Sequence, residues 1–290
     1  MRSVIRTIRT RDGVGLHVEE RGSGKTAMLL CNGLYCSTHY YGPWLEEFAR
    51  DHRVVTFDYR GHGQSDDPPD PGAVTLDTLV GDAEAVLDTL EQPVILVGHS
   101  MGVRVALELA ARKGARVDGI VLLCGSVFDI GVGVTAAATR RFAPPVLRMF
   151  GRAASVSRVV RDAVVHPEWL VRVGSVFGGL AHSTPREPVE ALARNVRRLD
   201  VRSMASIGRS YVEHSARALL PGVRVPTLQI IGALDQLAPP AHARVVEREL
   251  ARCTTVVVDG CTHLAPIEAP DEVHRAVRAF LGELGVDWRA

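Results

Sequence analysis

Lysine is nearly missing from this chain: Lys25 and Lys113 are the only two, and the other 32 of its 34 basic residues are arginine. Such a skew reflects the base composition of a GC-rich genome more than a function. An excess of charge is missing too. A formal net charge of +1 gives no sign of a wholesale electrostatic grip on nucleic acid or on an anionic membrane. No apolar run reaches the ~18 residues needed to span a bilayer. The opening "MRSVIRTIRTRDG" alternates apolar and polar residues and lacks an apolar centre, so it is not read as a signal peptide. Cys31, Cys36, Cys124, Cys253 and Cys261 are odd in number, and two of them lie in apolar strand-like runs. The expectation is reduced thiols in a cytoplasm rather than a disulfide framework. Neither Cys31 with Cys36 nor Cys253 with Cys261 has the spacing or the neighbouring histidines of a zinc site. Internal repeats and low-complexity tracts are absent as well.

What the sequence has is apolar material, 46% of its 290 residues, enough for a large buried core. "VIRTIRT" and "GLHVEER" alternate around Asp12-Gly13 and read as an antiparallel hairpin. "AMLLC", "RVVTFD", "PVILVG", "GIVLLC", "PTLQIIG" and "TTVVVD" are near-continuous apolar runs, which suit parallel strands covered on both faces. Helical patterns run from Leu76 to Leu90, Met101 to Arg112, Pro240 to Ala251 and Asp271 to Leu284. The alternation predicts an α/β fold with a mostly parallel eight-stranded sheet flanked by helices. One interval breaks the rhythm. From Ser126 to Gly222 there is no convincing strand, only helical stretches such as "EPVEALARNVRRL", and the gap is too long for a plain loop. The expected organisation is a core of residues 1–126 and 223–290 with a helical lid inserted at 127–222.

"RGSGKTAML" invites a nucleotide-binding reading that fails on two counts. A phosphate loop needs Gly-x-x-x-x-Gly-Lys-Ser/Thr leaving a strand and opening a helix, so that successive N–H groups face the phosphates. Here Glu19 occupies the first glycine position, and a strand pattern follows Lys25. The stretch reads as a glycine-rich hairpin turn.

"VILVGHSMGV" carries the chemistry. Gly98, Ser100 and Gly102 fit Gly-x-Ser-x-Gly between an apolar strand and the helical run "RVALELAAR", a context that holds a serine hydroxyl exposed on a strained turn. A serine hydroxyl needs a base, and the base needs an orienting carboxylate. Asp235 in "IIGALDQLAPP" and His263 in "VVVDGCTHLAPIEAP" each follow a core strand. The three therefore fall beyond strand C-termini, where the sites of open parallel sheets form. Asp129, after the "GIVLLC" strand, is a rival for the acid.

With these motifs, and with "FDYRGHGQSD" and the run from His263 through Glu268 to Pro270, the sequence resembles the α/β-hydrolase superfamily, in its lid-bearing esterase and lipase-like branch. The resemblance covers nearly the whole chain. It implies a Ser100–Asp235–His263 catalytic triad and an oxyanion hole made by the backbone N–H groups of Leu34 and Met101. The implied activity is hydrolysis of an ester-type bond in a small, largely apolar substrate, with no metal and no organic cofactor. Asn32 stands where such proteins carry a histidine, and Asn32-Gly33 is expected to make the same tight turn with positive φ. Val103 departs from a glycine frequent in the family. A carbon–carbon bond hydrolase or lactonase would use the same triad, and a small-molecule receptor would use the fold alone. The sequence leaves a homodimer open.

The remaining candidates read as structural. His62 and His99 sit inside motif turns. Tyr40, Tyr41, Trp169 and Phe177 read as core or lid packing, and Arg140, Arg141 and Arg148 as a solvated lid face.

Overall fold

Of the six near-continuous apolar runs, five form strands buried along nearly their whole length, and the sixth, at Cys253–Val258, forms a partly exposed strand at the sheet edge. The computed structural model of the chain describes residues 3–91, 93–128, 144–149, 151–153, 159, 161, 165–168, 171, 179–181 and 184–285. The strands are β1 (Ser3–Arg9), β2 (Gly15–Arg21), β3 (Ala27–Cys31), β4 (Arg53–Phe57), β5 (Val94–His99), β6 (Val117–Leu123), β7 (Thr227–Gly232) and β8 (Cys253–Val258). They form one sheet in the order β1-β2-β4-β3-β5-β6-β7-β8. β1 and β2 are an antiparallel hairpin in which Arg9 faces Gly15, and β2 is antiparallel to β4. From β4 to β8 every pairing is parallel.

Side chains on successive strand residues point to opposite faces, and the two cores follow from that rule. Leu29, Val94 and Leu96 pack into one core with Leu79 and Leu107. Met28, Leu30, Ile95 and Val97 pack into the other with Trp44 and Phe280. The helices that supply those partners are α1 (Gly42–Phe48), α2 (Leu76–Leu87), α3 (Met101–Lys113), α4 (Arg186–Arg198), α5 (Val201–Glu213), α6 (Pro240–Glu249), α7 (Ala265–Glu268) and α8 (Pro270–Glu283). Thr75 and Thr78 form a reciprocal capping box at the start of α2. That helix stops three residues short of the expected Leu90. Its continuation tightens into i→i+3 bonds, with Thr89 N–H on Val86 O at 3.1 Å and Leu90 N–H on Leu87 O at 3.0 Å. Helix α1 has no counterpart among the expected elements; it is short and opens on Gly42-Pro43.

The glycine-rich stretch at residues 22–26 is a turn between strands, but not the hairpin expected. β2 and β3 are not neighbours: β4 lies between them, antiparallel to one and parallel to the other. Gly22, at φ +80°, passes so close to the end of α1 that a Cβ would lie 2.1 Å from His52 O. Only glycine fits there.

Between β6 and β7 the described residues include α4 and α5 and no strand. The two roots of this connection are fastened by one side chain. Arg104, fully buried on α3, donates to the carbonyls of Ser126 (3.0 Å) and Phe128 on the way out of β6, and to those of Tyr211 (2.5 Å) and His214 (2.7 Å) at the end of α5. Its guanidinium also stacks 4.0 Å from the centre of the Tyr211 ring. No helix among the described residues is long and apolar enough to cross a membrane.

Candidate active site

The corner from β5 into α3 is tight enough to dictate its own sequence. A Cβ on Gly98 would lie 2.3 Å from Gly102 O, and one on Gly102 would lie 2.0 Å from Cys31 O. Two backbone collisions thus make both positions glycine. Between them Ser100 adopts φ 54° and ψ −116°, a conformation that L residues avoid. Its N–H donates to Leu123 O on β6 (3.0 Å) and its carbonyl accepts from Val103 N–H (3.1 Å), which pins the corner to sheet and helix. Met101 is the first residue of α3, where helix geometry provides no intrahelical acceptor for the N–H.

The same logic brings β7 and the loop after β8 together. A Cβ on Gly232 would lie 2.2 Å from Thr262 O, and Leu234 N–H donates to Cys261 O at 2.8 Å. This close approach delivers Asp235 and His263 to one another. His263 Nδ1 is 2.9 Å from Asp235 Oδ2, and His263 Nε2 is 2.8 Å from Ser100 Oγ. Asp235 is buried, and its Oδ1 accepts from the N–H groups of Leu237 (2.9 Å) and Ala238 (2.8 Å). An ionised carboxylate only accepts, so Nδ1 carries the proton and Nε2 turns its lone pair to the serine hydroxyl. Hydroxyl, imidazole and carboxylate stand in one hydrogen-bonded line.

Residues 28–276 match the sequence model of the alpha/beta hydrolase family. The chain belongs to that family. Among curated proteins it resembles the pimeloyl-[acyl-carrier protein] methyl ester esterase of Pectobacterium carotovorum, at 25% identity over 91% of this chain and 98% of that protein. It also resembles the esterase YbfF of Escherichia coli, at 24% identity over 88% of this chain and 93% of the other. Among solved structures, an esterase from Exiguobacterium antarcticum superposes with a TM-score of 0.80 at 19% identity, over 96% of this chain and 100% of that one, a likeness of fold. This alpha/beta hydrolase is accordingly an enzyme of the hydrolase class.

Two side chains of the hydrolase seat the loop that carries His263. Buried His99 donates from Nε2 to His263 O at 3.2 Å. Burial, with the His263 imidazole adding to it, pushes the His99 imidazole down to about 3, so it stays neutral beside its neighbour. Glu268, on α7, gathers four donors. Its Oε2 accepts from Thr262 N–H (2.7 Å), and its Oε1 accepts from Thr262 Oγ1 (2.7 Å), Thr184 Oγ1 (2.8 Å) and Ala181 N–H (3.1 Å). One carboxylate therefore ties the residue before His263 to the chain entering α4. The spacing from His263 to Glu268 was the only sequence signal of this role. Nothing in the sequence marked Asn195 or Tyr35, which hold the neighbouring turn.

That turn differs from expectation. Positive φ falls on Tyr35 (60°) and not on Asn32 or Gly33. Asn32 is buried and uses its side chain to donate to Phe57 O (2.6 Å), binding the end of β3 to the end of β4. The turn closes with Cys36 N–H on Gly33 O at 3.1 Å, which puts Leu34 and Tyr35 at its centre.

His62 is buried, with Nδ1 3.0 Å from Arg60 O, inside its own loop. Tyr41 is buried and donates to Cys31 O (2.9 Å). Arg148 is exposed. The five cysteines are free thiols. Asp129, Arg140, Arg141, Trp169, Phe177 and the side chain of Tyr40 lie outside the described residues. Among the described residues no group of three or more His, Cys, Asp and Glu is arranged to hold a metal ion.

Proposed function

We propose that this enzyme hydrolyses a carboxylic ester of a small, largely apolar compound through an acyl-enzyme on Ser100. The observation that carries the proposal is the unbroken line of contacts from Ser100 Oγ through His263 to Asp235, at 2.8 Å and 2.9 Å. Ser100 Oγ attacks the ester carbonyl as its proton passes to His263 Nε2, and the carbonyl π electrons move onto oxygen. Asp235 holds the tautomer and stabilises the imidazolium. The oxyanion is met by the N–H groups of Leu34 and Met101, two donors supplied by the Gly33–Cys36 turn and by the free end of α3. The C–O bond to the leaving alcohol then breaks, and His263 returns the proton to that oxygen. Water, deprotonated by His263, attacks the acyl carbon in turn, and Ser100 leaves with its hydroxyl restored.

We assign residues 127–222 to a cap over a core of residues 1–126 and 223–290. An apolar substrate is supported by the Val- and Leu-rich cap sequence and by Leu234 and Leu237, which flank Asp235 and are more than half exposed. The free thiols fit the cytoplasm.

Ser100→Ala tests the reading. Turnover of a short p-nitrophenyl ester is expected to fall at least ~10⁴-fold while the melting temperature holds. Retained turnover would end the proposal. A lactone, or a substrate cleaved at carbon–carbon, hydrolysed faster than every member of an ester-chain-length series would move the assignment to that bond.

A further inference from the structure

Tyr35 is a bulky residue in a backbone region that favours glycine and asparagine, at the third position of a four-residue turn. Locally the turn has its closing bond and Cys36 Sγ on Leu34 O at 3.7 Å, and neither acts on the Tyr35 carbonyl or ring. The supports come from far along the chain. Asn195, buried in α4, donates from Nδ2 to Tyr35 O at 2.6 Å. Tyr35 Oη donates to Met204 O on α5 at 2.7 Å. On α5, Gly208 leaves the room: a Cβ there would lie 2.7 Å from Tyr35 Oη. Burial raises the phenol's pKa, so the tyrosine stays a donor.

The other end of the Asn195 amide is anchored in the core. Its Oδ1 accepts from Gly63 N–H at 2.7 Å. An N–H only donates and a carbonyl only accepts, so these two partners fix which way the amide faces. Gly63 in turn cannot shift: at φ +47°, a Cβ on it would lie 2.0 Å from the Asp58 carboxylate, and that carboxylate accepts from Thr38 N–H (2.8 Å) and Gln64 N–H (2.9 Å). Asn195 therefore spans a rigid core loop on one side and the strained turn on the other.

We propose that Asn195 is a positioning residue for catalysis, holding Tyr35 in its left-handed conformation and thereby aiming the Leu34 N–H at the forming oxyanion. The inference rests on the ester-hydrolase reading above and deepens it: the cap is part of the oxyanion machinery as well as a cover for substrate. Without the Asn195 bond the turn relaxes toward a conformation that L residues prefer, and the direction of the Leu34 N–H changes with it. The loss then falls on the transition state, where the oxyanion exists, and leaves ground-state binding largely intact.

The test uses Asn195→Asp, which keeps an acceptor for Gly63 N–H and removes the donor to Tyr35 O. Three quantities are read: kcat and KM for a short p-nitrophenyl ester, Ki for an alkyl trifluoromethyl ketone, and the melting temperature. The ketone adds reversibly to Ser100 Oγ, with the serine proton going to His263, and leaves an oxyanion in the hole. The expected result is a ~10–100-fold loss of kcat with KM within ~2-fold, and a Ki raised by a matching factor. Unchanged kcat, or a loss carried by KM with Ki unaltered, overturns the proposal. Should Asn195→Asp not fold, Tyr35→Phe removes only the bond to Met204 O. It is expected to move kcat and Ki together by ~3–10-fold, and no change in either overturns the proposal. Failure of the underlying reading shows separately, in wild-type enzyme that does not bind the ketone or in Ser100→Ala that still turns over. Either would remove the proposal along with it, before any Asn195 variant is compared.

Discussion

Ser100 in the candidate site and Tyr35 in the turn next to it share a positive φ, 54° and 60°, and they are held there in different ways. The Ser100 corner is enforced from within its own segment. Gly98 and Gly102 allow the strand and helix to meet, and a side chain at either would strike backbone. The Tyr35 turn has no such local compulsion. Its supports, Asn195 and Met204, stand 160 and 169 residues away on helices of the β6–β7 connection. Positive φ at a non-glycine residue can thus be written into a five-residue motif or supported from across the fold. The first kind fails only when the fold fails. The second kind depends on side chains of distant helices, here Asn195, and on the main chain at Met204.

Substitutions at the two corners should separate those behaviours. The largest effect is expected from Gly102→Ala. Its Cβ would sit 2.0 Å from a backbone carbonyl that has no room to retreat, so urea unfolding should show a loss of ~4 kcal/mol or more, or no folded protein. A loss below ~1 kcal/mol would mean that the corner is not enforced by its glycines.

Gly208→Ala, the matching change behind Tyr35, should divide stability from function. Alanine is the better helix former by about 1 kcal/mol, while its methyl drives Tyr35 Oη from Met204 O. The melting temperature is expected to stay within ~3 °C of wild type, and ester turnover to fall several-fold. Parallel loss of both would show that the turn and the fold are one cooperative unit.

The smallest effect concerns protons at the Ser100 corner. His99 is held neutral, pushed down to about 3 from an unfolded value near 6.5. The unfolded chain therefore binds a proton there that the folded chain refuses, and the stability this histidine gives is full above 6.5 and is lost as pH falls below it. Between pH 6.5 and 5, above most carboxylate titration, the slope of unfolding free energy against pH should be shallower in His99→Asn by up to one proton. An unchanged slope would mean that this imidazole is charged or hydrated in the folded protein.

The same contrast explains how much could be read from residues alone. The sheet was legible because β3, β5 and β7 are buried on both faces and so nearly continuously apolar, and the hairpin because β1 and β2 alternate. Ser100 was legible because its constraint is local, and Asp235 and His263 because each follows a recognisable strand. The turn expected at Asn32-Gly33 lies two residues later and differs in conformation: Asn-Gly can take positive φ, but Asn32 is spent on Phe57 O, and the left-handed residue is Tyr35. Similarly, the stretch around Lys25 was read as a turn leading into a strand, which it is, yet called a hairpin because strand order is not a local property. Asn195 left no trace, since a polar residue in an amphipathic helix reads as surface until its partners are known. Glu268 left a spacing without a reason, and the reason is the four donors around its carboxylate.

Arg104 has one more consequence. It grips carbonyls both where the β6–β7 connection leaves β6 and at the end of α5, and so joins those two places directly. Backbone carbonyls are present whatever the residue, so this grip survives changes of side chain, and of chain length, beyond the roots. The exit from β6 and the end of α5 are thereby tied through acceptors that no substitution at Ser126, Phe128, Tyr211 or His214 removes.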